Sequence, residues 1–544
     1  MEYMKKLGVI TSGSLTQGLS VKLIHAAAVE DLAVGRYLTV QGDKKRFFCM
    51  LTDISLMVTD MRLMQSPPTD RSSFEARVLT DTQAYAQAQI SPYLTRDGQG
   101  QIEPVKTVPP HFAAVLEATN EDIESIFGKE DIKNSIFNIG NPLDMEVKLN
   151  LNLKAFAERS NGIFGKSGTG KTFLTRIMLS GLVQSGHCSN LVFDMHNEYG
   201  WEGVSEKDGQ KSKVKGLKQL FPHKVSIFTL DINSSKNRGV PVDKEVKINS
   251  QYITAADIAL LRGPFNLSDL AVTAAFQLED RLGKNWIEQT LCLDDQIKNT
   301  ECDASLSPLT EFNIHQGTFG NLIRGLKDIM RLGFIDNKSQ ADSVKDILDV
   351  IQNGKSVVLE FGGYHDTKSY LLVANLLSRR IYERYQKQME AHFGDQNKPE
   401  PQPLCITIEE AHSFLTPALA SQTIFGKIAR EMRKYNASLL IIDQRPSEID
   451  DEIMSQLGTR ISCLLNDEKD VESVLSGMSG KSELKKVLFR LSSRQQALIF
   501  GHAVPMPIAF APRTYNQDFY ATMQDKQKPA LDMGADGLAD DLFN

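Results

Sequence analysis

The chain has 544 residues but only six cysteines, and no two of them form a C-x-x-C pair. Cys49, Cys188, Cys292, Cys302, Cys405 and Cys463 lie scattered along it. That pattern argues against a zinc site or a disulfide framework and points to a reducing, cytoplasmic setting. Long hydrophobic runs are also missing. The stretch from Leu371 to Leu377 is short and flanked by charge, so no membrane partner is expected. The opening Met-Glu-Tyr-Met-Lys-Lys leads into alternating residues and does not read as a signal peptide. Positive charge is not in excess, because the formal net charge is −7. A protein that binds nucleic acid over its whole surface is usually basic. Any such site here must be confined, for example to a pore. No internal repeat and no nuclease constellation is visible. What remains is 41% hydrophobic and 24% charged, ordinary for a soluble globular protein. The length suits three or four domain-sized units.

One segment fits the phosphate-loop pattern G-x-x-x-x-G-K-[ST] at every fixed position. It comprises Gly165, Lys166, Ser167, Gly168, Thr169, Gly170, Lys171 and Thr172. The short apolar run Gly162, Ile163, Phe164 enters it. A helical pattern through Phe173, Leu174, Ile177, Met178 and Leu182 leaves it. Strand, loop and helix in that order are the context the motif needs. Backbone N–H groups and the helix N-terminus can then cradle the phosphates of ATP. Lys171 would reach the β- and γ-phosphates, and Thr172 would ligate Mg²⁺. Gly165 and Gly170 would ease the approach of backbone to ligand.

Phosphate binding alone also fits a small-molecule kinase. A second motif separates the two. The apolar run from Leu404 to Ile408 ends in Glu409 and Glu410, followed by Ala411 and His412. A strand ending in two acids puts carboxylates at the edge of the sheet that carries the phosphate loop. Glu409 is assigned to magnesium and Glu410 to the attacking water, because in-line hydrolysis needs both roles. The competing reading is an acidic helix start stabilised by the helix dipole. One strand further on, Leu439 to Asp443 leads into Gln444, Arg445 and Pro446. Gln444 is the candidate sensor of the γ-phosphate, against a plain Pro-terminated loop start. Arg430, Arg433 and Lys434 precede that strand. They offer either an arginine acting in trans or a solvated basic face.

Residues 1–110 read as β-rich, with strand-like runs at Leu7, Leu19, Tyr37 and Phe47 separated by Gly and Asp turns. Short strands at that spacing predict a small barrel. Apolar, β-branched runs begin at Leu191, Val225, Ser356, Leu404, Leu439 and Ile461. Alternating with helices, they predict an α/β core with a parallel sheet covered on both faces. This core is divided into 111–249 and 351–517. Helix-period patterns across 250–350, such as Ile253 to Leu261 and Leu267 to Leu282, predict a helical insertion. The segment 518–544 reads as a flexible acidic tail. Its end near Leu542 and Phe543 could alternatively dock a partner.

The ordered set of motifs resembles the HerA/FtsK group of hexameric DNA translocases, and HerA most closely. Asp194, His196, Glu198 and Tyr199 match that family's Asp-x-His-Gly-Glu-Tyr element, with Asn197 in place of glycine. Glu409, Glu410, Ala411 and His412 match its Asp/Glu-Glu-Ala-His signature. Arg430, Glu431, Arg433, Lys434 and Tyr435 match Arg-Glu-Gly-Arg-Lys-Phe/Tyr, with Met432 for glycine. Gln444 to Ser447 and Thr459 to Ile461 also fit. The resemblance covers most of the chain. It implies a HAS-like barrel, a RecA-like (ASCE) P-loop ATPase core and a homohexamer with ATP and Mg²⁺ between subunits. Arg433 becomes the leading trans-acting arginine, with Arg430 or Arg460 as alternates. Asp194 and Glu198 then tune the magnesium-water network or simply orient a loop. The stretch from Phe500 to Pro507 resembles the start of an extension that embraces a neighbouring subunit. The implied partners are double-stranded DNA and a NurA-like nuclease or another effector protein, in DNA end processing or anti-phage defence. The alternative is an ATP-controlled ring scaffold that assembles or activates an effector enzyme. Lys207, Lys211, Lys213, Lys215 and Lys218 cluster after Tyr199. They are read as DNA-phosphate contacts or as a solvated loop.

Overall fold

The computed structural model describes residues 5–24, 29–80, 82–207, 210–299, 309–337, 342–478, 480–492 and 495–523. Near the N-terminus, six antiparallel strands close on themselves. Their order is Gly18–Leu23, Lys6–Ser14, Ala114–Glu117, Tyr37–Gln41, Lys45–Val58 and Ala84–Asp97, and the last pairs back with the first. Closure pairs the two end strands of this order with each other, and a short seventh strand, Ile102–Pro104, hangs on Ala84–Asp97. Inward residues such as Val21, Val40, Leu51, Ile90 and Val115 form the barrel's own core. The strand Ala114–Glu117 belongs to this barrel, so the barrel runs past residue 110. Its signal is only four residues long, too short for an alternation pattern to declare itself.

A twelve-stranded sheet forms the second unit. Eight neighbouring strands are parallel. They run in the order Lys244–Glu245, Val225–Thr229, Ser356–Glu360, Ser189–Asp194, Leu404–Glu409, Ala437–Asp443, Asn161–Phe164 and Thr459–Cys463. Every residue of Ser189–Asp194, Leu404–Glu409 and Ala437–Asp443 is buried. Such strands need helices on both faces, which is why they read as continuous apolar runs. The helices Lys171–Ser185 and Thr367–Gly394 each bury ten or more residues. Beyond Thr459–Cys463 the sheet turns antiparallel through Ala497–Gly501, Ile508–Pro512, Ile136–Pro142 and Leu149–Asn152. The sheet is therefore mixed, not wholly parallel. The stretch 500–512 contributes to strands of this chain's own sheet, and the helix Gln517–Met523 buries Phe519, Tyr520 and Met523. The first residues assigned to a tail are thus packed; those from 524 onward lie outside the described residues.

Between Lys244–Glu245 and Ser356–Glu360 the described residues are mostly helical. Ala255–Leu260 starts with a capping box in which Thr254 and Asp257 satisfy each other's backbone N–H groups. Asp269–Leu282 starts at Ser268, whose side chain accepts from Ala271 N–H. Among the described residues, no helix is long and apolar enough to cross a membrane.

For function, the decisive feature is strand order. Ala437–Asp443 lies between the phosphate-loop strand and Leu404–Glu409. Four adjacent parallel strands then end in carboxylates: Glu360, Asp194, Glu409 and Asp443.

Candidate active site

The phosphate loop is hung between two strand ends. Gly165 N–H donates to Asp443 O at 3.2 Å, and Lys166 N–H donates to Leu464 O at 3.1 Å. A Cβ on Gly165 would lie 2.7 Å from Cys463 Cβ, so this glycine is required by packing within the protein. Gly170 has open space around it but a φ of +98°, so there the backbone conformation requires glycine. Thr169 Oγ1 donates to Lys166 O at 2.7 Å and closes the turn. Lys166, Ser167 and Gly168 are exposed, while Lys171 and Thr172 are half-buried at the start of the following helix. Burial holds the Lys171 ammonium below its ordinary pKa, and the carboxylates of Glu410, Asp443 and Glu409 pull the other way.

Glu409 is almost fully buried. Tyr199 Oη donates to its Oε1 at 2.7 Å. Its backbone N–H donates to Tyr370 Oη at 3.0 Å, and Tyr370 Oη donates back to Glu409 O at 3.1 Å. Its other carboxyl oxygen, Oε2, is buried with no hydrogen-bond partner. Burial, followed by the proximity of Asp194, pushes the Glu409 carboxyl up to about 8. Asp194 is pushed up to about 7 by burial and then by Glu360. Its carboxylate accepts the N–H groups of Glu198, Tyr199 and Gly200 at 2.8, 2.7 and 3.2 Å. That turn passes through Asn197 at φ 57°. Asparagine tolerates this left-handed conformation. Its side chain also exchanges hydrogen bonds with Gly362 at 2.9 and 3.0 Å. The missing glycine therefore leaves the turn intact. Burial also raises Glu360, which ion-pairs with Arg238.

Glu410 follows in a left-handed conformation, φ 47° and ψ 47°. This turns it out of the strand line and toward the end of Ala437–Asp443. Gln444 Nε2 donates to Glu410 Oε1 at 3.0 Å. His412 Nδ1 lies 3.5 Å from Glu410 Oε2 and 3.0 Å from Asp443 Oδ2. Asp443 also accepts the backbone N–H groups of His412 at 2.8 Å and Arg445 at 2.6 Å. Burial alone would raise Asp443, but the hydrogen bond and charge of His412 outweigh it and hold the carboxyl low. In return the Asp443 hydrogen bond raises the His412 imidazole. Ligand-type atoms of Glu410, His412 and Asp443 lie within 4.8 Å of one another; the imidazole–carboxylate bond already accounts for two of them.

The edge thus unites Lys171, Thr172, Glu409, Glu410 and Gln444, all named from sequence. Arg433 is elsewhere. It sits in the 3-10 turn Met432–Tyr435, not in the helix Ile424–Glu431 that ends before it. That turn feeds the far end of Ala437–Asp443. The strand's seven residues span ~20 Å, so Arg433 cannot reach its own phosphate loop. Arg430 lies 3.4 Å from Glu452. Arg460 is buried and donates to the carbonyls of Val474 and Ser476, each at 2.6 Å, and of Met454. So fixed, it is not available across a subunit boundary. Four of the five clustered lysines lie on a β-hairpin, Glu202–Lys207 paired with Gln210–Lys215, and not in a loop, and Lys218 lies in the short helix Leu217–Leu220. Lys213 pairs with Glu202 at 2.7 Å, Lys218 with Asp243 at 3.1 Å, and Lys215 lies over the Tyr520 ring. The side chains of Lys207 and Lys211 lie outside the described residues.

Sequence reasoning did not find the Tyr199 and Tyr370 hydroxyls or the His412–Asp443 pair. Asp443 carried a usable signal, an apolar strand ending in an acid as at Glu409. Tyr370 carried none.

The family described as "Helicase HerA, central domain" matches residues 137–381. The DNA double-strand break repair helicase HerA of Sulfurisphaera tokodaii is 24% identical over 530 residues, covering 92% of this chain and 91% of that protein. The protein of the same name from Sulfolobus acidocaldarius is 23% identical over 529 residues, covering 92% of each. Among solved structures, VirB4 of Thermoanaerobacter pseudethanolicus covers 71% of this chain and 98% of its own, at 15% identity and a TM-score of 0.43.

Proposed function

We propose that this chain, which belongs to the HerA-like P-loop ATPases, hydrolyses ATP in a homohexameric ring to move along or unwind double-stranded DNA. In this reading it works with a NurA-like nuclease or another effector protein, in DNA end processing or anti-phage defence. The observation that carries the ATPase part is the convergence of Lys171, Glu409, Glu410 and Gln444 on one sheet edge beside a phosphate loop. Curated relatives named as helicases support the DNA part.

The residues divide the work as follows. The loop Gly165–Thr172 and Lys171 bind the triphosphate and stabilise its charge. Glu410, turned toward Gln444, orients the attacking water and accepts its proton. Gln444 shares itself between Glu410 and the γ-phosphate and so reports the nucleotide. Thr172 and Glu409 would hold Mg²⁺. The unpartnered Glu409 Oε2 fits a cation, because a buried carboxylate oxygen calls for one. When bound, that ion neutralises charge on the phosphates. Arg433, out of reach of its own loop, would stabilise the transition state in the next subunit. This reading assigns 1–110 and the strand after it to the barrel, 250–350 to a helical insertion and the remaining core to the motor. A ring scaffold with ATP-controlled assembly remains the second reading. It is favoured by one observation: Lys213 of the hairpin and Lys218 of the helix after it are already paired with acids.

Two variants test the catalytic assignment. Lys171→Ala should weaken ATP binding about 10- to 100-fold, the equivalent of ~1.5–3 kcal/mol of charged hydrogen bonding. Glu410→Gln should retain ATP binding and lose about 10²–10⁴-fold in single-turnover hydrolysis. Normal hydrolysis by Glu410→Gln would remove it from that role.

A further inference from the structure

The helices Ser343–Gln352 and Thr367–Gly394 flank a polar groove of about 190 Å³. Lys345 lines it from the first helix, and Arg380, Glu383, Arg384 and Lys387 line it from the second. Asp342, the N-cap of the first helix, also lines it. None of these residues belongs to the phosphate loop or to the acidic edge. We propose that this groove is a contact site for the phosphodiester backbone of duplex DNA, in which Lys345, Arg384 and Lys387 neutralise phosphates without reading sequence. The inference rests on the DNA part of the reading above and adds a surface for it, separate from the ATP site and from the lysine hairpin.

Three observations carry it. The first is unspent charge. Both acids of the groove are engaged: Asp342 accepts from Arg380 at 3.0 Å, and Glu383 lies 3.5 Å from Arg379. Arg380 is further fixed over the Tyr252 ring, 3.6 Å from its centroid. Lys345, Arg384 and Lys387 are exposed, and among the described residues none of them has an ion-pair partner. The hairpin differs, because there Lys213 is paired with Glu202 and Lys215 covers the Tyr520 ring. The second is placement. Arg380, Arg384 and Lys387 recur at the spacings of four and three that put side chains on one helix face. At 1.5 Å per residue the row is ~10 Å long. One strand of a duplex carries a phosphate every ~3.4 Å of helix axis, so the row meets more than one phosphate, and Lys345 adds a cation from the other helix. Cations in line suit a linear polyanion, whereas a compact anion needs them gathered at one point. The third is context. The chain has a formal net charge of −7, so a DNA surface has to be local, as a patch of unpaired cations is. Arg384 also brings a planar donor fork that matches phosphate geometry.

The test follows binding of a fluorescently labelled duplex of random sequence to the full-length protein, by anisotropy, across a salt series. Wild type is compared with the triple variant Lys345→Gln, Arg384→Gln, Lys387→Gln. The variant should bind DNA at least about tenfold more weakly at low salt, and its log–log salt slope should be shallower by up to roughly 0.9 for each charge removed. ATP binding and basal hydrolysis should stay at wild-type values, because none of the three residues touches the ATP site. Should the triple variant fail to fold, the single variants decide, each with a slope change of roughly 0.9. Replacing three exposed lysines of the N-terminal unit instead, Lys6, Lys44 and Lys106, should leave the slope as it is; an equal drop there would reduce the effect to net charge and overturn the site. Unchanged slope and affinity in the groove variant would overturn it too, with DNA binding by the protein still standing. A groove variant that binds DNA as wild type does but loses binding of poly-glutamate would give the groove to an acidic protein segment and overturn the proposal. A wild type that binds no duplex would overturn the DNA reading and the groove together.

Discussion

Tyr199→Phe should move the pH dependence of ATP hydrolysis toward alkali. The hydroxyl it removes donates to Glu409 Oε1 at 2.7 Å, inside the core. The other oxygen of that carboxyl already has no partner. Losing the bond therefore leaves the Glu409 carboxyl without a side-chain hydrogen bond among the described residues. Glu409 titrates at about 8, and the Tyr199 bond is one of the influences that hold it down. A hydrogen bond to a charged group is worth ~1.5–3 kcal/mol, against ~1 kcal/mol for a neutral one. The ionised form thus loses more than the protonated form, and its population at neutral pH falls by up to about tenfold. If Glu409 must be ionised to hold magnesium, the rising limb of ATPase activity shifts to higher pH in the variant. Stability follows the same sign. The folded value lies above the unfolded one, so the contribution is fully present below the unfolded carboxylate range, ~4.3, and is lost as pH rises through about 8. Urea unfolding without nucleotide should show a modest cost of the substitution at about pH 6 and a larger one at about pH 9. Equal cost at both values, together with an unshifted activity profile, would refute the reasoning.

Two further outcomes are expected. Mixing Arg433→Ala subunits with Glu410→Gln subunits should restore part of the ATPase activity, because some interfaces then regain both groups; mixed rings that stay inactive at every ratio would remove the trans assignment. Replacing Lys211, Lys213 and Lys215 together should make the log–log salt dependence of DNA binding shallower, by up to roughly 0.9 for each phosphate that is no longer neutralised; an unchanged slope would put the DNA interface elsewhere, and no DNA binding by the intact ring would favour the scaffold.

The parallel half of the sheet was legible in the sequence because a strand buried on both faces is predominantly apolar, as Leu404–Glu409 and Ala437–Asp443 are. Its acidic edge was legible for a related reason. A carboxylate ending such a run lies at the strand tips, which puts Glu409 and Glu410 on the edge that carries the phosphate loop. The antiparallel half was not legible. Whether Ile508–Pro512 joins Ile136–Pro142 depends on pairing across hundreds of residues, and neither short run says which neighbour it will take. The same holds for the supporting hydroxyls. Tyr199 and Glu409 are 210 positions apart, and Tyr370 and Glu409 are 39 apart. A tyrosine that serves a buried acid looks in sequence like any core aromatic. The lysine hairpin failed for another reason. Its charges suggested a solvent-facing loop, yet Val214 is buried and Lys215 covers a ring, as long side chains with apolar stems can do.

The acids on the edge are not equivalent, and their surroundings assign them opposite tasks. Asp443 is buried beside an imidazole and two donating N–H groups, which hold it ionised. It is a fixed negative charge that anchors His412 and, through the backbone bond to Gly165, shares its strand end with the phosphate loop. Glu409 and Asp194 are buried beside each other with too little positive charge, which keeps both carboxyls up at about 8 and about 7. A neutral acid can lie near a phosphate without repelling it, and a cation bound between them would let it ionise there. Pairs of carboxyls whose environments separate their pKa values mark a division of labour. Here the division leaves Glu410, the one acid of the row turned out of its strand line and a quarter exposed, as the group free to meet water.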